Sequence, residues 1–348
     1  FFYMGRVSLS TALDLGERMM RLAEGRDDRG LLFEGHFAVG LPLFFRGDFA
    51  AALEHFENGI ALGSPDPARP PTFVTGLDVA VASTAISGVA LWHLGYPERA
   101  GERCAEAIEL ARASGHAYSL ADALSMAAWL HCLRRDSAAV RTLASDLLLL
   151  AEEKGFHLAA HGKVHLGWAE VEEGEEAGLA RMLDGFAGFR ADGARLSEMN
   201  FISQLVESYA RCGRLEEARR TLEEAQALVA EVGGRYFWKP ELHRLEGELA
   251  LALPARPAES AESAGSVEPA AAAEARAEAC FERALALARD YGSRGIELRA
   301  ALSLARLRQR RGEIERAREV LTPTLDAFPE PAHSADLRDV RTLLAALA

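Results

Sequence analysis

An all-α array of stacked helix pairs, wound into a right-handed superhelix, is the fold this sequence predicts, and three observations predict it. The first is a short grammar that recurs along the chain. Gly213 is followed five, nine and twelve residues later by Ala218, Leu222 and Ala225. Gly47 is followed in the same way by Ala52, Phe56 and Gly59, Gly95 by Ala100, Cys104 and Ala107, and Gly312 by Ala317, Leu321 and Thr324. A glycine lets the chain turn sharply after a helix. A small residue one and a half turns later lets two antiparallel helices approach, and a larger apolar residue beyond it fills the gap between them. The second observation is composition: 49% of the residues are hydrophobic, and much of that is Ala rather than Val or Ile. Ala, Leu, Glu and Arg favour helix, whereas strands want β-branched runs. The third is length. At 348 residues the chain exceeds what one core usually serves, while an array grows without a central core.

The turn positions fall at Gly5, Gly47, Gly95, Asp136, Gly174, Gly213 and Gly312, with gaps of 42, 48, 41, 38 and 39 residues and a last gap of 99 that has room for two units. The tetratricopeptide period is about 34 residues, and its Ala with an aromatic four positions on matches AAALEHF and ARAEACF. Gaps near forty mean longer helices or loops than that minimal unit. The array is therefore tetratricopeptide-like with stretched units, about seven helix pairs in one superhelical domain over 1–348. In order, a second helix without its partner covers 7–24, and pairs follow at 30–62, 78–113, 118–154, 156–190, 196–231, 236–290 and 294–327. Asp136 stands where the other turns carry glycine.

Two interruptions break the pattern. GSPDPARPPTFVTG (63–76) is a proline-rich loop, because proline removes donors and blocks helix. PARPAESAESAGSVEPA (254–270) has almost no large apolar side chain to offset its ordering entropy and reads as a disordered loop inside one unit. A lone amphipathic helix within 334–347 is suited to capping the last apolar face. The uncharged run from Val79 to Trp92 is too short to span a bilayer and holds Ser83, Thr84 and Ser87, so it reads as a buried helix.

A net charge of −13 disfavours nucleic acid, and no basic patch with interleaved aromatics relieves it. The four cysteines, Cys104, Cys132, Cys212 and Cys280, lie far apart with no Cys-x-x-Cys, which fits a reduced, cytoplasmic protein. The opening FFYMGRVSLS has neither an initiator Met nor a basic-then-apolar leader and reads as a piece of a longer protein, cut inside a repeat.

The stretches ELHRLEGELALA (241–252), ACFERALALAR (279–289), SRGIELRAALSLARL (293–307) and DLRDVRTLLAAL (336–347), with WHLGYPERA (92–100), resemble one known kind of region. It is the C-terminal tetratricopeptide region of large bacterial signalling ATPases and cyclase-type regulators of the maltose-activator (MalT-like) type. The resemblance implies a sensor or protein-interaction role in a regulator whose N-terminal nucleotide-binding domain lies outside this chain. It carries over no catalytic residue. The long 254–270 insert, Asp136 in a turn and a central histidine triplet depart from it.

The chemistry-bearing motifs are few. There is no P-loop, no GxGxxG, no GxSxG and no HExxH, so no enzyme, nucleotide site or cofactor is expected. His157, His161 and His165 share one helix stripe, but the outer two lie about 12 Å apart along a straight helix. No fourth ligand is visible in the sequence, and they are expected to be structural histidines lining a helix seam rather than a metal site. The acidic run 170–178 is expected to be a solvated turn, with Glu175 and Glu176 at a helix start. Cys104 takes the inward slot filled elsewhere by Phe56 and Leu222.

The helix LLFEGHFAVGLPLFFR is apolar on nearly every side. One stripe, Leu32, His36, Val39 and Leu43, should face its partner helix, and a second carries Phe33, Phe37, Leu41, Phe44 and Phe45. A helix of this kind is either buried all round or offers a binding surface. In a solenoid the first helices of the pairs line the concave face, which points to Phe37, Leu41 and Phe45. Matching distances from the turns adds Trp92, Met126, Leu130 and Trp168, then the polar Asn200, Gln204, Arg244 and Arg299. The groove is thus expected to be apolar in its first half and polar in its second, with Trp92 at a thinly packed helix end. The expected function is recognition of a peptide, protein or small inducer on that face. The alternatives are packing between repeats and a homo-oligomerisation module without ligand.

Overall fold

The computed structural model describes residues 8–63, 76–191, 195–253, 270–330 and 334–348. Among them are sixteen helices and no strand. After α1 (Leu9–Glu24) come seven antiparallel pairs: α2 (Arg29–Arg46) with α3 (Phe49–Leu62), α4 (Val79–His93) with α5 (Pro97–Ser114), α6 (Ala117–Arg134) with α7 (Ser137–Lys154), and α8 (Ala159–Glu172) with α9 (Ala177–Ala191). The series goes on with α10 (Arg195–Arg211) and α11 (Leu215–Val232), α12 (Lys239–Ala252) and α13 (Ala270–Asp290), and α14 (Arg294–Arg310) and α15 (Ile314–Asp326). The final helix α16 (Ala335–Ala346) packs on α14 and α15. Gly5, most of the proline-rich loop and nearly all of 254–270 lie outside the described residues.

Each helix packs on the next, and first helices also touch first helices (α4 on α6, α6 on α8, α12 on α14), the arrangement of a right-handed α-solenoid. The recurring grammar is what closes the pairs. Ala52, Ala100, Ala218 and Ala317 are wholly buried, and Phe56, Cys104, Leu222 and Leu321 fill the space beyond them. Gly40 accepts the Phe56 ring so closely that a Cβ there would lie 2.6 Å from it. Helix starts are fixed by side-chain caps: Asp28 accepts from Leu31 N, Asp78 from Ala80 N and Asp136 from Ala139 N. The turn position needs correction in one pair. The left-handed residue between α6 and α7 is Arg135 (φ 57°), and Asp136 is the cap that follows it. Asp136 therefore matches the residue after each turn glycine, such as Asp48 after Gly47 (φ 85°).

The superhelix winds tightly enough for its ends to meet. Helix α14 packs against α4. His93 Nδ1 shares a hydrogen bond of 2.8 Å with Ser293 Oγ, and Phe237 N donates to Phe45 O at 3.0 Å. Trp92 lies on Gly295, where a Cβ would stand 2.7 Å from its ring, and the Arg299 guanidinium sits over the ring, 5.2 Å from its centre. Trp92, expected at a thinly packed helix end, is buried instead, because this cross-axis contact covers it. The aromatic run Tyr236, Phe237 and Trp238, between α11 and α12, fills the axis. The Phe237 ring lies 5.2 Å from Phe44, 5.6 Å from Phe45 and 5.8 Å from His93.

Candidate functional site: the concave groove

Two cavities among the described residues lie on the concave side. The upper one, about 180 Å³, is walled by Phe37, Leu41 and Phe45 of α2, by Leu77 with Ala82 and Ile86 of α4, and by Asp122, Ser125, Met126 and Trp129 of α6. His161 and His165 of α8 and Asn200 and Phe201 of α10 complete it. Five consecutive first helices thus supply one wall each, which follows from the solenoid placing every first helix on the inner face. The space holds roughly a dozen waters, or one to two large side chains.

Its polar groups are few and specific. The Trp238 indole donates to Asn200 Oδ1 at 2.8 Å. An indole N–H only donates, so the Asn200 amide oxygen is engaged and its NH₂ end is the one left to offer. Trp129 Nε1 is buried with no partner among the described residues. His161 Nδ1 shares a 2.8 Å hydrogen bond with Ser125 Oγ. Burial, reinforced by the neighbouring His165 and His157, lowers His161 to about 3, and burial lowers His165 to about 4, so both rings are neutral at pH 7. Asp122 is the one wall residue carrying charge at neutral pH. The residue is half-buried. Burial pushes its carboxyl up to about 6. No cation pairs with it among the described residues.

Elsewhere among the described residues, each buried carboxylate has an arginine. Glu170 pairs with Arg181 at 2.9 Å, Glu198 with Arg190, Glu241 with Arg244, Glu297 with Arg289 and Arg294, and Asp336 with Arg299 at 2.8 Å. The lower cavity, about 140 Å³, is built from such pairs. Arg211 meets Glu172 at 2.6 Å, Arg244 meets Glu207 at 2.6 Å, and Arg135 meets Asp336 at 3.2 Å and Asp339 at 2.9 Å. This network ties α6, α8, α10, α12, α14 and α16 together across the axis. Its charges satisfy one another.

Of the residues singled out in the sequence, Phe37, Leu41, Phe45, Met126 and Asn200 line the upper cavity, and Trp168, Arg244 and Arg299 line the lower one. Trp92, Leu130 and Gln204 are buried and line neither of these two. The histidine triplet does line a seam: the rings meet Tyr118, Ser125 and Cys132, spaced two turns apart on α6. No group of three His, Cys, Asp or Glu side chains among the described residues could hold a metal ion. The acidic run is less solvated than its composition implies. Glu170 is buried against Arg181 and Glu172 lines the lower cavity, because both occupy the inner side of the last turn of α8. Asp122, Trp129, Phe201 and the run 236–238 escaped the sequence reading. The three adjacent aromatics, in a chain with 7% aromatic residues, were the available signal.

No family model matches the sequence, and no curated protein matches it either. Solved structures do. The fold is that of the tetratricopeptide-type helical-repeat proteins. A Rap protein complexed with Competence and Sporulation Factor is similar at 11% identity and a TM-score of 0.58, over 91% of this chain and 77% of that one. NprR in complex with its cognate peptide NprX is similar at 13% identity and a TM-score of 0.50, over 90% of this chain and 82% of that one. At such identities the likeness is one of fold. No helix among the described residues is long and apolar enough to cross a membrane.

Proposed function

We propose that this chain is a recognition scaffold that holds an extended peptide segment in the upper half of its concave groove, as the sensor end of a larger bacterial regulator. The observation that carries the reading is the upper cavity. It is apolar, spans five inner helices, and presents unengaged polar groups from Asn200 and Asp122. Apolar walls with a few convergent polar groups are the usual make-up of a ligand site. A structure of the same fold described in complex with its cognate peptide supports a peptide as the occupant. The resemblance of 241–252, 279–289 and 336–347 to regulator regions supports the wider setting.

The oligomerisation reading has less behind it. Leu15 and Leu22 share a stripe of α1, while Leu110 and Leu149 stand singly on α5 and α7, so among the described residues the exposed large apolar side chains do not gather into one face. Selection of random heptapeptides on the immobilised chain tests the proposal. Peptides should enrich on the wild type and fail to enrich on Met126→Trp, which fills the cavity from a half-buried wall position. Equal enrichment on both, or none on either, removes the groove from the account.

A further inference from the structure

We infer that the segment held in the upper cavity presents a lysine or arginine whose charged head pairs with Asp122, flanked by an apolar residue that lies against Phe37 and Phe201. The inference rests on the peptide-scaffold reading and adds the chemistry of the ligand to it. Its basis is the pairing pattern described above. Each buried carboxylate among the described residues is matched by an arginine of the same chain, whereas the half-buried Asp122 stands on the wall of an apolar cavity without a cation among the described residues. Among the described residues the walls around it offer no cation: Leu77 and the α4 residues are apolar, Ser125 and Met126 of its own helix are neutral, and Asn200 and Phe201 of α10 carry no charge. The α8 histidines stay unprotonated until the pH falls to about 4 or below. Burying a lone carboxylate is unfavourable, so an unmatched one in a ligand cavity marks the place where the ligand completes the pair.

The geometry limits the cation to one carried on an apolar stem. Lysine and arginine place methylene groups along aromatic walls while their heads reach a carboxylate, and Phe37, Phe45 and Phe201 are such walls. A small inorganic cation would leave those walls bare. The NH₂ end of Asn200 is then free to donate to a main-chain carbonyl of the same segment.

The test uses the full chain and fluorescent heptapeptides with one central lysine between leucines, compared with the same peptides carrying norleucine or glutamate at that position. Norleucine keeps the stem and removes the charge. The wild type should prefer lysine over norleucine by roughly tenfold, as expected for one partly desolvated ion pair. Asp122→Asn should erase the preference, and Asp122→Lys should shift it towards glutamate. The melting temperature of Asp122→Asn, equal to or above that of the wild type, shows that the change acts on binding. Lowering the pH from 7 to 5 should weaken the lysine preference, since Asp122 is the group on these walls that titrates in that range. Arg69→Ala, which removes a cation of the 63–76 stretch, should leave the preference intact. A preference unaltered in Asp122→Asn, or altered in Arg69→Ala, overturns the inference. Peptides that bind the wild type but not Met126→Trp, with lysine and norleucine equal, overturn it and leave the scaffold reading standing. No binding by any peptide overturns both.

Discussion

Replacing Phe237 by alanine should open the superhelix without dissolving its helix pairs. The ring is wholly buried in the axis, with seven rings within 6.3 Å: Phe44, Phe45, Phe49, His93, Trp129, Tyr236 and Trp238. Truncating a buried phenylalanine destabilises by about 3–5 kcal/mol, and oriented aromatic pairs add about 0.5–1.5 kcal/mol each. The expected loss lies at the upper end, about 5 kcal/mol, or about 1.5–2 M in a urea midpoint at about 3 kcal/mol per molar. Phe56→Ala serves as the comparison. That ring is equally buried but packs within the α2–α3 pair against Gly40 and Phe37. Both variants should lower the midpoint. Phe237→Ala should also raise the radius of gyration in small-angle X-ray scattering, because α2, α4 and α6 lose their contact with the α11–α12 turn, whereas Phe56→Ala should leave it unchanged. A Phe237→Ala midpoint within about 0.3 M of wild type, or no change in radius, would show that the axis is not held there.

Three further outcomes follow from the same contacts. Burial lowers His93 and His161 to about 3 and His165 to about 4, so below pH 6.5 the unfolded chain binds protons that the folded chain refuses. Stability is therefore lost as pH falls from 6.5 towards those values. At pH 5 each site contributes about 2 kcal/mol to the loss. Asp122, raised to about 6, opposes with a smaller gain between pH 6 and 4. Melts at pH 7, 6 and 5 should thus show a falling midpoint, and a flat or rising one would contradict the burial of the three rings. Gly295→Ala should destabilise by about 1–3 kcal/mol through overpacking against Trp92, read as a shift in urea midpoint that Trp92→Ala largely relieves in the double variant. Arg299→Ala removes one of the two arginine partners of Asp336, the donor to Leu133 O and the cation over Trp92. It should cost about 3–5 kcal/mol by the same assay, and a loss under 1 kcal/mol would show the network to be idle.

What the sequence made legible was local. The spacing from turn glycine to alanine to large apolar residue is enforced within one pair, so Ala52, Phe56, Ala218 and Leu222 could be placed from a dozen neighbouring letters. Carrying the same count onto the first helices found Phe37, Leu41, Phe45, Met126 and Asn200 on the cavity wall. Trp92 shows where that reasoning stops. Its environment is Gly295 and Arg299, two hundred residues away, and their meeting depends on small rotations between pairs summed over most of a superhelical turn. Phe237 and Trp238 were hidden for the same reason, since a loop residue fills the axis only if the pitch brings the first pairs to it. Asp122 was illegible in another way. Its distinction is the absence of a partner on an apolar cavity wall, which becomes visible only when the buried carboxylates are seen with their arginines.

The most direct test of groove recognition is to map where a selected peptide lies. A benzophenone-bearing heptapeptide from the selection would be photo-cross-linked to the full chain, and the adducts located by mass spectrometry. The account predicts adducts on inner-helix residues of the upper cavity, chiefly Met126 of α6 and Phe201 of α10, and their loss in Met126→Trp. Adducts confined to the outer helices α5, α7 and α9, or to the exposed stripe of α1, would contradict it.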